Sequence, residues 1–157
     1  MTQDTVIKIS NVWKICGARP EAALQAIRVR GLTKPQVLEE FNAVVGVADV
    51  SLSVNRGEIF CILGLSGRDK TTLGRHFNRL LEPTAGKIEI EGTDVMALGP
   101  KDLQKFRNQK IGMVFQNFAL MPHRSVLDNV AMPLEIRQVA KNERMRQAAA
   151  ILDIVEL

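Results

Sequence analysis

A chain of 157 residues with 46% hydrophobic content is long enough to build one core of ordinary size and too apolar to stay disordered. No apolar run approaches the roughly eighteen residues that mark a membrane span, and the opening MTQDTVIKIS lacks the basic-then-apolar layout of a secretory signal, so a cytosolic chain is expected. The formal charge of +4 arises from basic residues interleaved with acids, as in Lys101-Asp102 and Asn142-Glu143-Arg144, and aromatic content is only 4%, so no nucleic-acid partner is expected; anionic phosphates or acidic lipid head groups fit the mild excess equally well.

No internal repeat or low-complexity tract interrupts the chain. Alternating polar and apolar residues over 6–12 predict a short strand. Pro20 then opens a helix through Ile27, with Gly31 beyond its end. Thr33-Lys34-Pro35-Gln36 has capping-box spacing and predicts a second short helix to about Glu40. Alternation returns over 50–54, and Asn55-Arg56-Gly57 turns the chain. Cys16 and Cys61 form no C-x-x-C pattern, and Cys61 sits in an apolar run, which predicts buried free thiols rather than a disulfide or metal site.

That run, Glu58-Ile59-Phe60-Cys61-Ile62-Leu63, predicts a central strand covered on both faces. It leads into Gly64-Leu65-Ser66-Gly67-Arg68-Asp69-Lys70-Thr71, after which Leu73, Phe77, Leu80 and Leu81 recur at helical spacing. Strand, glycine-rich loop and helix form the context in which G-x-x-x-x-G-K-[ST] binds phosphate. Backbone N–H groups and a helix N-terminus converge on phosphate oxygens where glycine keeps side chains away. Asp69 stands where the glycine before the lysine belongs. At an effective dielectric of ~20, two unit charges ~4 Å apart repel by about 4 kcal/mol, on the order of a thousandfold in binding. Arg68 beside it offsets part of that. The competing structural reading is that Lys70 and Thr71 merely cap a helix.

Beyond the turn at 82–86, alternation over 87–91 predicts an edge strand of an antiparallel portion, turned by Gly92-Thr93-Asp94. Residues 102–108 predict a short polar helix, and 110–115 another strand that leaves Gln116 just past its carboxyl end, where ligands of open α/β sheets gather. Ser125 and Asp128 have N-cap spacing, and Met145, Ala148, Leu152 and Val155 line one face of a last helix. That helix meets Leu157 with no stop signal, the look of an end imposed by truncation. His76 and His123 have no second ligand at metal-binding spacing and are expected to be structural.

The phosphate loop, "LLEPTAGKIEIEG" and "IGMVFQNFALMPHRSVLDNV", in that order, resemble the ATP-binding subunit of ABC transporters. "ICGARPEAALQAI" and "GLTKPQVLEE" look like the glycine betaine/proline importer branch. The resemblance runs from about Asn11 to Leu157 and covers less than half of such a subunit. It implies a P-loop α/β domain with a mainly parallel central sheet, an antiparallel β portion and the start of a helical subdomain. Residues 1–45 would be an accessory region and 46–157 the incomplete front of the ATP-binding domain.

Carried onto this sequence, the resemblance places Gly64, Ser66, Gly67 and Arg68 in the phosphate cradle. Lys70 would lie on the β and γ phosphates of ATP, Thr71 on Mg²⁺, and Thr72 near the α phosphate. Gln116 would be the Q-loop glutamine, reaching the metal and the attacking water. Phe41 is a candidate to stack on adenine, with Trp13 a weaker one; the alternative for Phe41 is core. Residues 118–122 are either the surface that receives a permease or buried core. The implied partners are a permease in the inner membrane, a second ATP-binding subunit arranged head to tail and, indirectly, a substrate-binding protein, at the cytoplasmic face of the membrane. The signature motif, the acidic strand end and the switch histidine of the family do not occur in residues 1–157. Two functions follow: the front of a transport ATPase for glycine betaine/proline-type osmolytes, or a non-catalytic relative that binds nucleotide weakly or not at all. A nucleic-acid-handling ABC protein without a membrane partner is the third class.

Overall fold

The computed structural model describes residues 4–64, 67–115 and 120–156, with the backbone alone at 67–69. It divides into two units, Met1–Gly99 and Pro100–Leu157.

In the first unit, β1 (Thr5–Cys16) and β2 (Val44–Asn55) pair antiparallel, Lys8 against Ser53 and Ile9 against Leu52. On the other edge of β1 lies β3 (Ala85–Ile90), Ile9 against Ile88, and the two-residue β4 (Thr93–Asp94) completes the order β2-β1-β3-β4. The expected edge strand is therefore internal over Glu89 and Ile90, which pair with Asp94 and Thr93. Both long strands exceed what alternation over 6–12 and 50–54 predicts, because register irregularities between Ile9 and Lys14 break the period of two. Asn11 and Asp49 both take left-handed backbone there (φ 48 and 49), and the Asn11 Nδ2 donates to Asp49 Oδ1 at 2.9 Å.

Between β1 and β2 run α1 (Pro20–Arg30) and α2 (Lys34–Phe41). Gly31 closes α1 at φ 67, donating its N–H to the Ile27 carbonyl at 2.9 Å, and the Gln36 side chain accepts the Thr33 N–H at 2.8 Å. Ile15, Ala23, Leu24, Val37, Ala43 and Val45 form the buried cluster under these helices. Thr84 fastens the later chain to β1: its N–H donates to the Trp13 carbonyl, and its hydroxyl accepts the Ile15 N–H at 2.9 Å.

The helix after the glycine-rich segment, α3 (Gly67–Phe77), buries Leu73 but stops short of Leu80 and Leu81. Arg79 turns left-handed (φ 52), and Leu80 is exposed. The His76 Nδ1 donates to the Leu81 carbonyl at 2.6 Å and so closes this turn.

In the second unit, α4 (Pro100–Lys110) is longer than the predicted 102–108. α5 (Val126–Ile136) starts at Ser125, whose Oγ accepts the Asp128 N–H at 3.1 Å as the cap spacing predicts. α5 pairs with α6 (Lys141–Ile154), burying Ala131 and Ala148. Glu135 joins them, meeting Arg124 at 2.7 Å and Arg144 at 3.5 Å. These guanidiniums, Arg124 first, hold the Glu135 carboxyl below its ordinary range. Val155 falls beyond α6 and is exposed, a correction to its place on the predicted helix face.

Three further expectations are corrected. Residues 58–64 and 111–115 are not strands: Ile59 and Leu63 are each 91% exposed and Val114 98%. A strand of that composition is held by neighbours along its edges and by layers on both faces. Among the described residues no strand pairs with either segment, so the sheet present is antiparallel and the mainly parallel one is not formed. Cys16 and Cys61 are free thiols as expected, but both are exposed, Cys61 because its strand is not formed.

Candidate phosphate-binding site

The irregular run 58–64 delivers the chain to the head of α3, where Gly67 is the first helical residue and Lys70, Thr71 and Thr72 follow within the first two turns. The leading N–H groups of a helix have no intrahelical acceptors, and the dipole concentrates partial positive charge there. Lys70 folds back across the bend: its Nζ donates to the Gly64 carbonyl at 2.5 Å. Thr71 is exposed; Thr72 is half-buried against β2, its methyl 3.8 Å from where a Cβ on Gly46 would stand.

Beside this helix head opens a cavity of about 320 Å³ whose wall includes Lys34, Gly46, Val47, Gly64, Lys70 and Leu73. Two ammonium groups and no described carboxylate line it, which suits an anion. Lys34 and the part of β2 before Val50 were invisible to motif spacing. The alternation of buried Val45 and Val47 around Gly46 is the signal that extends β2 to this wall, whereas nothing in sequence marks Lys34 beyond its place in the first turn of α2.

Asp69 lies in the first turn of α3. An acid in a first helical turn favours the helix through the same dipole that would attract an anionic ligand. Gly67 and Arg68 share that first turn. Phe41 is placed differently: it ends α2, packs half-buried on the cluster under α1 and α2, and carries the Arg19 guanidinium 5.8 Å from its ring centroid. It does not line the cavity, and Trp13 packs on the same cluster. Ser66 and Gln116 lie outside the described residues, as do Phe118 and Ala119. Of the proposed docking segment, Leu120 and Met121 are exposed. Among the described residues no three His, Cys, Asp or Glu side chains converge as a metal site, and no helix is long and apolar enough to cross a membrane.

Helices packed with an antiparallel sheet, and Lys70 folded back to the Gly64 carbonyl at the head of α3, place the chain in the α/β class. Residues 47–157 match the ABC transporter family, and the chain belongs to it. It is 44% identical over 151 residues to the glycine betaine/proline betaine transport system ATP-binding protein ProV of Salmonella typhimurium, covering 96% of this chain and 38% of that one. It is 45% identical over 152 residues to the trimethylamine N-oxide transport system ATP-binding protein TmoW of Ruegeria pomeroyi, covering 97% and 44%. Among solved structures, a dimeric bacterial ABC transporter cassette superposes with a TM-score of 0.74 at 28% identity over 96% of this chain and 57% of that one. The chain thus spans less than half the length of these curated relatives. The α/β fold class and the resemblance read from the motifs are borne out.

Proposed function

We propose that this chain is the nucleotide-gripping front of an ATP-binding subunit that serves uptake of a quaternary-amine osmolyte of the glycine betaine/proline type. The observation that carries the reading is Lys70, whose ammonium lies over the Gly64 carbonyl at the head of α3. A polyphosphate entering the cavity would take that ammonium as a charge-assisted donor and the helix N-terminus as its cradle. Thr71 has the exposure to meet Mg²⁺, and Thr72 stands beside it. Mg²⁺ would screen the phosphate charge, and Gln116 would approach the same ligand. Gly64, Ser66, Gly67 and Arg68 would shape the cradle. Phe41 is the candidate to stack on the base, for which the Arg19 guanidinium would have to leave its ring. Residues 46–157 would be the front of the ATP-binding domain and 1–45 an addition to it.

Relatives named for betaine and trimethylamine N-oxide transport support the importer reading and the assignment of a permease, a second ATP-binding subunit and a substrate-binding protein as partners at the cytoplasmic membrane face. The family's water-polarising carboxylate does not occur in residues 1–157, which would supply part of one hydrolytic site.

Asp69 favours a second reading, a relative that binds nucleotide weakly or not at all. Titration of the purified chain with Mg-ATP separates the two. Micromolar affinity that weakens at least roughly tenfold in Lys70→Ala supports nucleotide gripping. Affinity unaffected by Lys70→Ala, or absent in both the natural chain and Asp69→Gly, supports the weak-binding relative.

A further inference from the structure

Within the second unit, α4 and the end of α5 border a cavity of about 500 Å³, roomier than the one beside α3. Its wall is unusual in charge. Lys101 and Lys105, one turn apart on α4, and Arg137, just past α5, contribute three cations, and among the described residues no carboxylate lines it. Gln104 and Asn108 add a parallel row of carboxamides on α4, and Gln138 faces them from a left-handed turn at φ 60. Among the described residues none of the three cations is in an ion pair. This contrasts with the neighbouring guanidiniums Arg124, Arg144 and Arg146, which are all matched to Glu135 or Glu143. Across α4 as a whole, four basic residues meet one acid, Asp102, which is not part of the wall.

We propose that this cavity is a second anion site, separate from the loop at Gly64, that takes a compact phosphate-bearing group. The donor set is suited to it: ammonium and guanidinium groups match phosphate oxygens in charge, and carboxamide N–H groups add neutral donors without the competition of a carboxylate. The volume falls in the range of small-ligand sites, about 300–1,000 Å³. Among the described residues no aromatic ring lines it to offer a nucleobase a stacking surface. The phosphate could arrive on a dissolved molecule or on a lipid head group.

The test uses the full chain at low salt with two probes, inorganic pyrophosphate by calorimetric titration and phosphatidic-acid vesicles by co-sedimentation against neutral phosphatidylcholine. Lys101→Gln/Lys105→Gln, and separately Arg137→Gln, should each weaken binding by roughly tenfold or more. Lys8→Gln/Arg28→Gln, which removes the same charge as the first pair from the other unit, should change it by less than about twofold. Circular dichroism confirms that each variant is folded, which exposed lysine-to-glutamine changes on helices should leave intact. Binding of pyrophosphate lost in the cavity variants assigns a dissolved ligand; binding of phosphatidic-acid vesicles alone, lost in the same variants, assigns a head group. Binding that disappears in Lys70→Ala and survives in the cavity variants belongs to the loop and overturns the proposal, as does failure of the folded natural chain to bind either probe. The outcome is independent of whether Mg-ATP binds at Lys70.

Discussion

At the scale of single residues, Asp69 is where the proposed phosphate loop is most directly tested. A carboxylate can obstruct phosphate by charge or by bulk, and two substitutions separate these. If charge is the obstacle, Asp69→Asn recovers most of the affinity gained by Asp69→Gly, up to about a thousandfold, in Mg-ATP titrations. If bulk is the obstacle, only the glycine recovers it. His76 carries a different cost. It is 0% exposed, its Nδ1 is spent on the Leu81 carbonyl, and among the described residues its Nε2 has no partner. Burial, followed by the Lys14 ammonium, pushes its pKa below the ordinary 6.5, against the raising effect of the Leu81 bond. The fold therefore holds the neutral ring. Its contribution is complete above pH 6.5 and is lost as pH falls from there through the lowered value, since the unfolded chain takes up the proton first. Urea denaturation between pH 7 and pH 5 should show this decline. His76→Asn keeps a donor for Leu81 and removes the titration, so its stability, lower overall for lost volume, should be flat across that window. An equal slope in both proteins would place the titrating group elsewhere.

At the scale of elements, what was legible depended on whether a segment's cause lies within it. The α1 start at Pro20 and stop at Gly31, the Gln36 brace on Thr33 and the Ser125 cap are local hydrogen-bond chemistry, and each was readable from residue type and spacing. The bulge around Asn11 was not, because a bulge breaks the alternation by which strands are recognised, and its partners Asp49 and Ser51 lie some 40 residues away. For the same reason the cavity wall supplied by Lys34 and Gly46 stayed hidden while Lys70 and Gly64, six residues apart, did not. The end of α3 was misread because Leu80 and Leu81 continue the helical period, while the His76 bond to Leu81 and the left-handed Arg79 end the helix early. Gly86 shows how tightly the bulge is built. It sits at φ 106, and a Cβ there would stand 2.5 Å from the Val12 Cα and 2.6 Å from the Asn11 carbonyl oxygen. Backbone cannot yield as a flexible side chain would, so Gly86→Ala should cost at least about 2 kcal/mol in a denaturation experiment. Ser125→Ala, which removes only a cap on an exposed turn, should cost about 1 kcal/mol.

At the scale of the whole molecule, the two apolar segments that carry no strand set the behaviour in solution. Ile59, Phe60 and Leu63 in the first unit, and Met113, Val114 and Phe115 in the second, are all exposed. Isolated apolar residues on a surface are ordinary, but consecutive ones outside any strand offer a template for strand addition from another copy. The sequence signalled these segments strongly because composition reports what a segment would bury; it does not report whether neighbours are present to bury it. The chain should therefore bind an apolar dye and self-associate as its concentration rises, in spite of a net charge of +4. Ile59→Lys and Val114→Lys each place a charge in the middle of one run, where it opposes edge pairing and disturbs no buried contact, since these side chains are 91% and 98% exposed. Sedimentation velocity over a concentration series should show the double variant shifted toward monomer with folded-state melting unchanged. If association persists undiminished, the sticky surface lies elsewhere, and the free outer edge of β2 becomes the element to change next.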